Sequence, residues 1–313
     1  MPPKIVVLGD VALDVWMMGA PQRLAQEAPC ILHEMATPPE YSPGMASNVA
    51  RVLAVNYHPV FLCAELGTDA YGDTLDQLLQ AVGVQRRSYL RAGETLLRIR
   101  TGRREPDGTP VISGRWDYNP ATSREAVYSA PLDWTGVAAL VVSGYGRGAL
   151  ERLGWLLEGC PKEVLVVVDI KTPPLIPLPC HVDYATPNAA EYADAVARVQ
   201  RRRSARRPAR PVDVLHALAG RTTAFARYRR LGAVVVTQGA SGAVYNSCGT
   251  PIPQPVWVRP GDATPGRYTC GAGDVFVAKF TSELVQGFSL HHAVQAAVDT
   301  ASHAARTGCF CWS

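Results

Sequence analysis

Continuous apolar runs alternate along this chain with segments whose apolar positions recur at helical spacing. Ile5–Leu8, Val60–Cys63, Val137–Val142, Val164–Val168 and Val234–Val236 are apolar at every position. Runs of that length, bounded by glycine, aspartate or proline, predict strands buried on both faces, as in a parallel sheet. Between them, helical patterns are predicted from the small residues at 43–50 through Leu53, over Asp73–Val82, up to Leu157, over Val212–Arg230, over Val275–Gln286 and over Leu290–Ala305. Strand–helix alternation of this kind predicts an α/β protein, a mostly parallel sheet with helices on both faces.

Two stretches break the alternation. Thr95–Arg103 and Val111–Tyr118 each alternate apolar and polar positions, with Pro106-Asp-Gly108 between them, which predicts a hairpin. Val15 to about Tyr41 is irregular and carries Pro21, Pro29, Pro38 and Pro39. Both read as excursions from the core, forming a small β lid from about 15–41 and 95–118. Arg98, Arg100 and Arg115 on the hairpin either present cations to an anionic substrate or lie on solvated strand faces.

Composition narrows the function. With 313 residues, 47% hydrophobic and 19% charged, the chain has room for a large core, and it is expected to be one domain spanning 1–313. A net charge of +4 is too small to imply a polyanionic partner. Much of the excess lies in Arg201–Arg210, which has six arginines, no aromatic residue and Pro208. That run is expected to be a solvated loop, so no nucleic-acid partner is expected. The eight cysteines show no CxxC pair and no zinc spacing, so free thiols in a reducing cytoplasm are expected. No apolar run approaches membrane-spanning length, and the N-terminal run is too short for a signal peptide, so no membrane partner is expected.

The candidate chemistry gathers at the carboxyl ends of the predicted strands, where open α/β sheets bind ligands. Tyr268-Thr-Cys-Gly-Ala-Gly-Asp274 leads into a predicted helix. Gly271, Ala272 and Gly273 let backbone N–H groups converge on an anion at a helix N-terminus, and Asp274 is placed to take a proton from a hydroxyl. The alternative is a glycine turn whose aspartate caps the helix. Asp10 and Asp14 follow the first strand and either accept hydrogen bonds from sugar hydroxyls or act as turn and cap residues. Gly44 allows close backbone approach to a ligand, and Asn48 faces the same crevice or packs against the sheet. Thr237 and Gly239 again lie at the end of a strand.

In this order the motifs resemble the ribokinase family, the phosphofructokinase-B type of carbohydrate kinases. They are Gly9–Asp14, Gly44–Asn48, Gly67-Thr-Asp-Ala-Tyr-Gly72, Asn188 with Glu191, Thr237-Gln-Gly239 and Gly271–Asp274. Arg23–Pro29, Ser143–Gly148, Asp169-Ile-Lys171 and Thr186-Pro-Asn188 are most similar to bacterial heptose 7-phosphate kinase domains. The nucleotidyltransferase often fused to those kinases is not expected in this chain. The resemblance implies a doubly wound core with a β lid, ATP and Mg2+ as cofactors, and transfer of the γ-phosphate to a hydroxyl of a sugar or sugar phosphate. It implies Asp274 as base, Gly271, Ala272 and Gly273 as anion hole, and Asp14, Gly44 and Asn48 on the sugar. Lys171, Asn188 and Glu191 would lie near the phosphates and magnesium, with Glu191 reaching the metal through water. Thr237, Gly239 and Gly242 would lie near the nucleotide. A homodimer through the lid occurs in the family. The same fold also serves nucleoside kinases, kinases of secondary-metabolite sugars and non-catalytic sensors.

Three departures are visible. Tyr268 stands where the family has an acid that helps hold a monovalent cation, so only a weak response to potassium is expected. Met45 replaces a glycine and is expected to crowd the sugar. Gly144 replaces an acid and is expected to alter the acceptor site.

Overall fold

Seven of the predicted and added strands line up in parallel. The structure, a computed structural model, describes residues 3–56, 58–91, 93–120, 131–171, 178–202, 232–247, 255–262, 264 and 266–308. The strands of the main sheet are β1 (Lys4–Gly9), β6 (Val60–Leu66), β7 (Gln85–Arg91), β10 (Val137–Gly144), β11 (Leu165–Ile170), β12 (Tyr184–Ala185), β13 (Ala233–Thr237), β14 (Ala243–Ser247) and β15 (Val256–Val258). Their order is β15-β14-β13-β12-β11-β10-β1-β6-β7, and only the β13–β14 and β14–β15 pairings are antiparallel. The expected hairpin after Thr237 is therefore present.

Side chains alternate across this sheet into two apolar cores. Ile5, Val7, Val141, Val167 and Val235 join one cluster, packed by α1 (Ala46–Val55), α2 (Ala70–Ala81), α5 (Ala272–Val285) and α6 (Leu290–Thr307). Val6, Leu8, Leu140, Val142, Val166 and Val168 join the other, with α3 (Ala149–Leu153) and α4 (Ala189–Arg202) on that side. This is why the strands are apolar at every position. The sheet is doubly wound: from β1 the chain adds β6 and β7 on one side, then returns to add β10 on the other. The order reverses between β1 and β10, and the crevice at their carboxyl ends is where the physics of α/β sheets places a ligand.

A second, four-stranded sheet of order β5-β2-β8-β9 stands beside that crevice. It is built from β2 (Val11–Met18), β5 (Glu40–Met45), β8 (Leu97–Arg104) and β9 (Pro110–Tyr118), and a hairpin of β3 (Ala20–Leu24) and β4 (Ile31–Glu34) projects from it. Period-2 alternation sorts its faces. Leu13, Val15, Leu97 and Ile99 pack on the first core, while Asp14, Trp16, Arg98 and Arg100 line the crevice. The expected lid is thus wider than 15–41: Val11 to Met18 is one regular strand, and the return strand runs to Met45. Helix α2 also starts earlier than expected, because Asp69 caps it by accepting from Gly72 N at 2.8 Å. The predicted helix over Val212–Arg230 and most of the Arg201–Arg210 run lie outside the described residues.

Met45 joins β5 to α1 with φ 58° and ψ −135°, the one positive φ of a non-glycine residue among those described. A Cβ in that region is strained. Met45→Gly and Met45→Ala remove nearly the same buried side chain, but only alanine keeps the strain. The glycine variant is therefore expected to be the more stable of the two by about 1 kcal/mol in thermal denaturation, despite the larger chain entropy of glycine.

Candidate active site

Asp274 lies in the first turn of α5, and helix geometry alone leaves the N–H groups of that turn without intrahelical acceptors. Gly271 precedes the helix at φ 82°, a conformation that glycine adopts without strain. A Cβ on the exposed Gly273 would meet nothing within 4 Å. Gly273 therefore opens onto space at the positive end of the helix, an arrangement suited to an anion.

Asp274 itself is buried. Its Oδ2 accepts a hydrogen bond from Asn48 Nδ2 at 2.7 Å and its Oδ1 one from the Tyr145 hydroxyl at 3.1 Å. Burial pushes its carboxyl from 3.8 up to about 7; the Asn48 bond works against that, Asp169 adds to it, and Lys171 and Tyr145 oppose it. A carboxylate poised near neutrality suits a general base. Asn48, expected to hold sugar, lines the crevice, with Nδ2 donating to Asp274 and Oδ1 accepting from Arg51 Nη2 at 2.8 Å.

Asp10 lies just after the end of β1. It is 2% exposed, and its oxygens accept from the backbone N–H groups of Tyr145, Arg147 and Ala149 at 2.6, 3.1 and 3.0 Å. Through these three backbone bonds it fixes the loop after β10. Asp14 does line the crevice. It pairs with Arg100 Nη1 at 3.0 Å, and its Oδ1 lies 2.9 Å from where a Cβ on Gly44 would sit. A side chain at position 44 would press on the Asp14 carboxylate beneath it. Burial raises the Asp14 carboxyl, with Arg100 the main opposing influence.

The crevice between the second sheet and α1 and α5 is a cavity of about 790 Å3. Its walls carry Arg51, Arg98, Arg100, Arg104, Arg115, Arg147 and Arg267, seven guanidinium groups, against Asp14, Glu40, Asp117 and Asp274. Arg98 and Arg100 are 3% and 7% exposed, so they are not on solvated strand faces. Arg100 stacks on Trp16 at 4.8 Å from the ring centroid. Arg98 Nη2 and Arg147 Nε are buried with no acceptor among the described residues. Burial lowers the Arg98 pKa, and nearby Arg147 lowers it further. Met45 lines the same cavity. Gly144 does not: a Cβ there would meet Leu150 Cδ1 at 2.6 Å and Ile170 Cγ1 at 3.5 Å, inside the second apolar core. Gly144 therefore does not shape the acceptor side of the crevice directly. Tyr268 Oη meets Thr109 Oγ1 at 3.4 Å, and Arg267 pairs with Asp107 at 2.6 Å, so the loop before the anion hole touches the β8–β9 turn.

On the other side of Asp274, Lys171 Nζ lies 2.8 Å from Asp169 and 3.7 Å from Glu191. Burial works to lower the Lys171 pKa, but Asp169 and Glu191 outweigh it and raise it. Asn188 and Glu191 form a reciprocal cap on α4: Asn188 N and Nδ2 donate to Glu191, and Glu191 N donates to Asn188 Oδ1 at 3.0 Å. Asn188 also bridges to Thr237. The turn from Gly239 (φ 56°), which is exposed, to Gly242 (φ 91°), which is buried, closes the end of β13, three strand spacings or about 15 Å from β10. Thr237, Gly239 and Gly242 thus sit apart from Asp274, along the same sheet edge. Among the described residues no three His, Cys, Asp or Glu side chains cluster as a metal site.

Sequence reasoning missed Tyr145, Arg147, Arg51 and Trp16. Tyr145 follows a buried strand in the same way as Asp10 does, and Trp16 lies two residues from Asp14 on one strand face, so strand-end position and period-2 spacing would have found both.

The described helices include none long and apolar enough to cross a membrane, and the five described cysteines are free. The chain resembles "Bifunctional protein HldE" of Streptomyces coelicolor, 30% identical over 305 residues, covering 95% of this chain and 59% of the relative. The Pseudomonas putida protein of the same name is 29% identical over 293 residues, covering 93% and 57%. The chain therefore spans less than three fifths of the length of these relatives. Ribokinase from Cryptococcus neoformans in complex with ADP shares the fold at a TM-score of 0.60 and 17% identity, over 96% of this chain and 93% of that one. The family model for pfkB family carbohydrate kinases matches residues 3–308. The chain belongs to the pfkB family of carbohydrate kinases.

Proposed function

We propose that this kinase phosphorylates a hydroxyl of an anionic sugar, most like the anomeric hydroxyl of a heptose 7-phosphate. The observation that carries this reading is the excess of arginine around Asp274, including two buried guanidinium nitrogens without acceptors. A neutral sugar would leave those donors unpaired, whereas a phosphate on the acceptor satisfies them. The motifs that resemble heptose 7-phosphate kinase domains, Ser143–Gly148 and Asp169-Ile-Lys171 among them, favour the same class of acceptor.

In this reading Asp274 takes the proton of the acceptor hydroxyl as its oxygen bonds to the γ-phosphorus and the bond from that phosphorus to the ADP oxygen breaks. Gly271, Ala272 and Gly273 hold the transferring phosphoryl oxygens. Lys171 neutralises phosphate charge, and Thr237, Gly239 and Gly242 bound the nucleotide. Glu191 is half-buried and aimed at Lys171, and its carboxylate fits Mg2+ held through water. With so few carboxylates at hand, the remaining ligands of that ion would be phosphate and water oxygens. The ion, when bound, neutralises charge on the transferring group. The second sheet acts as a lid, and the exposed Leu24, Ile31 and Trp116 on it and its hairpin suit a homodimer, which sedimentation of the free protein measures.

An ADP-release assay across neutral sugars and their phosphates tests the acceptor class. Turnover on a neutral sugar equal to that on its phosphate would sink the proposal. The pH profile is a separate prediction. The base form of Asp274 is the carboxylate, so kcat/KM is expected to fall as pH drops through about 7. An acid limb near the ordinary carboxylate range would show a different base.

A further inference from the structure

One contact to Asp274 comes from Tyr145, in the loop after β10. We infer that Tyr145 is a positioning residue for the base: its hydroxyl fixes the rotation of the Asp274 carboxylate, while its backbone is pinned by Asp10 and its ring is faced by Lys171. The inference rests on Asp274 being the base of the reaction proposed above.

The geometry is over-determined. Tyr145 sits at the switch point between β1 and β10, directly after Gly144. Its N–H donates to Asp10 Oδ2 at 2.6 Å, so the buried Asp10 sets where the ring starts. Its Oη then donates to Asp274 Oδ1 at 3.1 Å, while Asn48 holds Oδ2 at 2.7 Å. One neutral donor on each oxygen leaves the carboxylate no free torsion, and each oxygen keeps a second lone pair for an incoming hydroxyl. The Lys171 ammonium stands 5.6 Å from the Tyr145 ring centroid, so the same side chain borders both the acceptor and the phosphate side. The phenol is kept protonated, because burial first and then the negative charges of Asp274, Asp169 and Glu191 push its pKa well above 10. It therefore stays a donor throughout the working range. The charged and titratable groups around Asp274 are Asp169 and Lys171 from the end of β11 and Tyr145 from the loop after β10; the donor from α1 is the uncharged Asn48.

Tyr145→Phe isolates the hydroxyl, since it keeps the ring and the Asp10 contact. A donor to a carboxylate favours its charged form, so its loss should move the Asp274 titration upward by about one pH unit. Two measurements read this. The acid limb of kcat/KM should move up by that amount, with kcat at its plateau reduced about tenfold and the KM for ATP unchanged. Independently of turnover, carbon NMR of labelled aspartate should show the carboxyl that titrates near neutrality, absent in Asp274→Asn, titrating higher in Tyr145→Phe. An unmoved titration in a folded Tyr145→Phe protein overturns the inference, even if activity falls. If no sugar is phosphorylated by the wild-type protein, the functional proposal fails while the NMR titration still decides the role of Tyr145. If Tyr145→Phe does not fold, Asp10→Asn supplies the second variant: it loosens the loop without touching Asp274, and an Asp274 titration unchanged from wild type in it counts against the pinning.

Discussion

Asp274→Asn is expected to lower kcat on the order of 10²-fold or more, the scale of a general base, while ATP affinity changes little. The amide keeps the size of the carboxylate and can still accept from one of its two neighbours, Asn48 or Tyr145. The backbone N–H groups of Gly271, Ala272 and Gly273 are untouched, so the phosphate should still bind. Turnover near wild type in this variant would remove the base assignment. A second signature accompanies it. The carboxyl sits at about 7 in the fold against an ordinary 3.8. Between those values the folded protein binds the proton more tightly than the unfolded chain. The stability this contributes is fully present below 3.8 and is lost as pH rises through about 7. Above neutrality the wild-type protein carries a buried charge that the amide does not. Asp274→Asn should therefore melt at a higher temperature than wild type above neutrality, and the gap should close as pH falls. A catalytic residue that costs stability has this pattern; a purely structural cap would show the opposite.

Asp14→Ala is expected to be the other large effect, in both binding and stability. Asp14 and Arg100 form a pair with side chains 15% and 8% exposed. Removing one partner of a buried pair leaves the other charge uncompensated, which costs about 3–5 kcal/mol; solvent reaching the cavity moves this toward the low end. Arg100 retains its stacking on Trp16 and its bond to the Arg98 carbonyl at 3.4 Å, so the second sheet should loosen rather than unfold. The acceptor KM should rise at least tenfold, and kcat should fall because the hydroxyl is misplaced relative to Asp274. The nucleotide Kd should be unchanged, since Thr237, Gly239 and Gly242, proposed for the nucleotide, lie at the end of β13, three strands from β10. Equal losses in sugar and nucleotide binding would make Asp14 a structural residue only. Arg100→Met alongside Asp14→Ala separates the two effects: the double variant should recover stability but not acceptor affinity.

What was readable in the chain was whatever local pattern and strand-end position determine. Val6, Leu8, Val142 and Val168 are apolar beside Ile5, Val7, Val141 and Val167 because the sheet has a core on each face, and that demand is written residue by residue. The same holds for the helix after Gly271 and for the hairpin that presents Arg98 and Arg100. The position of Asp274 in the first turn of α5 follows from the motif, since the four consecutive residues Gly271–Asp274 make it. Partnership across the fold was not readable. Asp10 and Asp14 looked alike, four residues apart after one strand; three backbone N–H groups from a loop some 135 residues later claim the first, and an arginine on another strand claims the second. Asn48, Tyr145 and Asp274 come from three distant segments and meet only at the switch point. Gly144 changes side once the strand is placed, because one residue of register decides which face a side chain occupies. Local propensity and periodicity act over a few residues and leave their trace in the sequence. Hydrogen-bond partners, buried charge and the carboxyl pushed to about 7 depend on which distant atoms end up within 3 Å, and only the tertiary structure decides that.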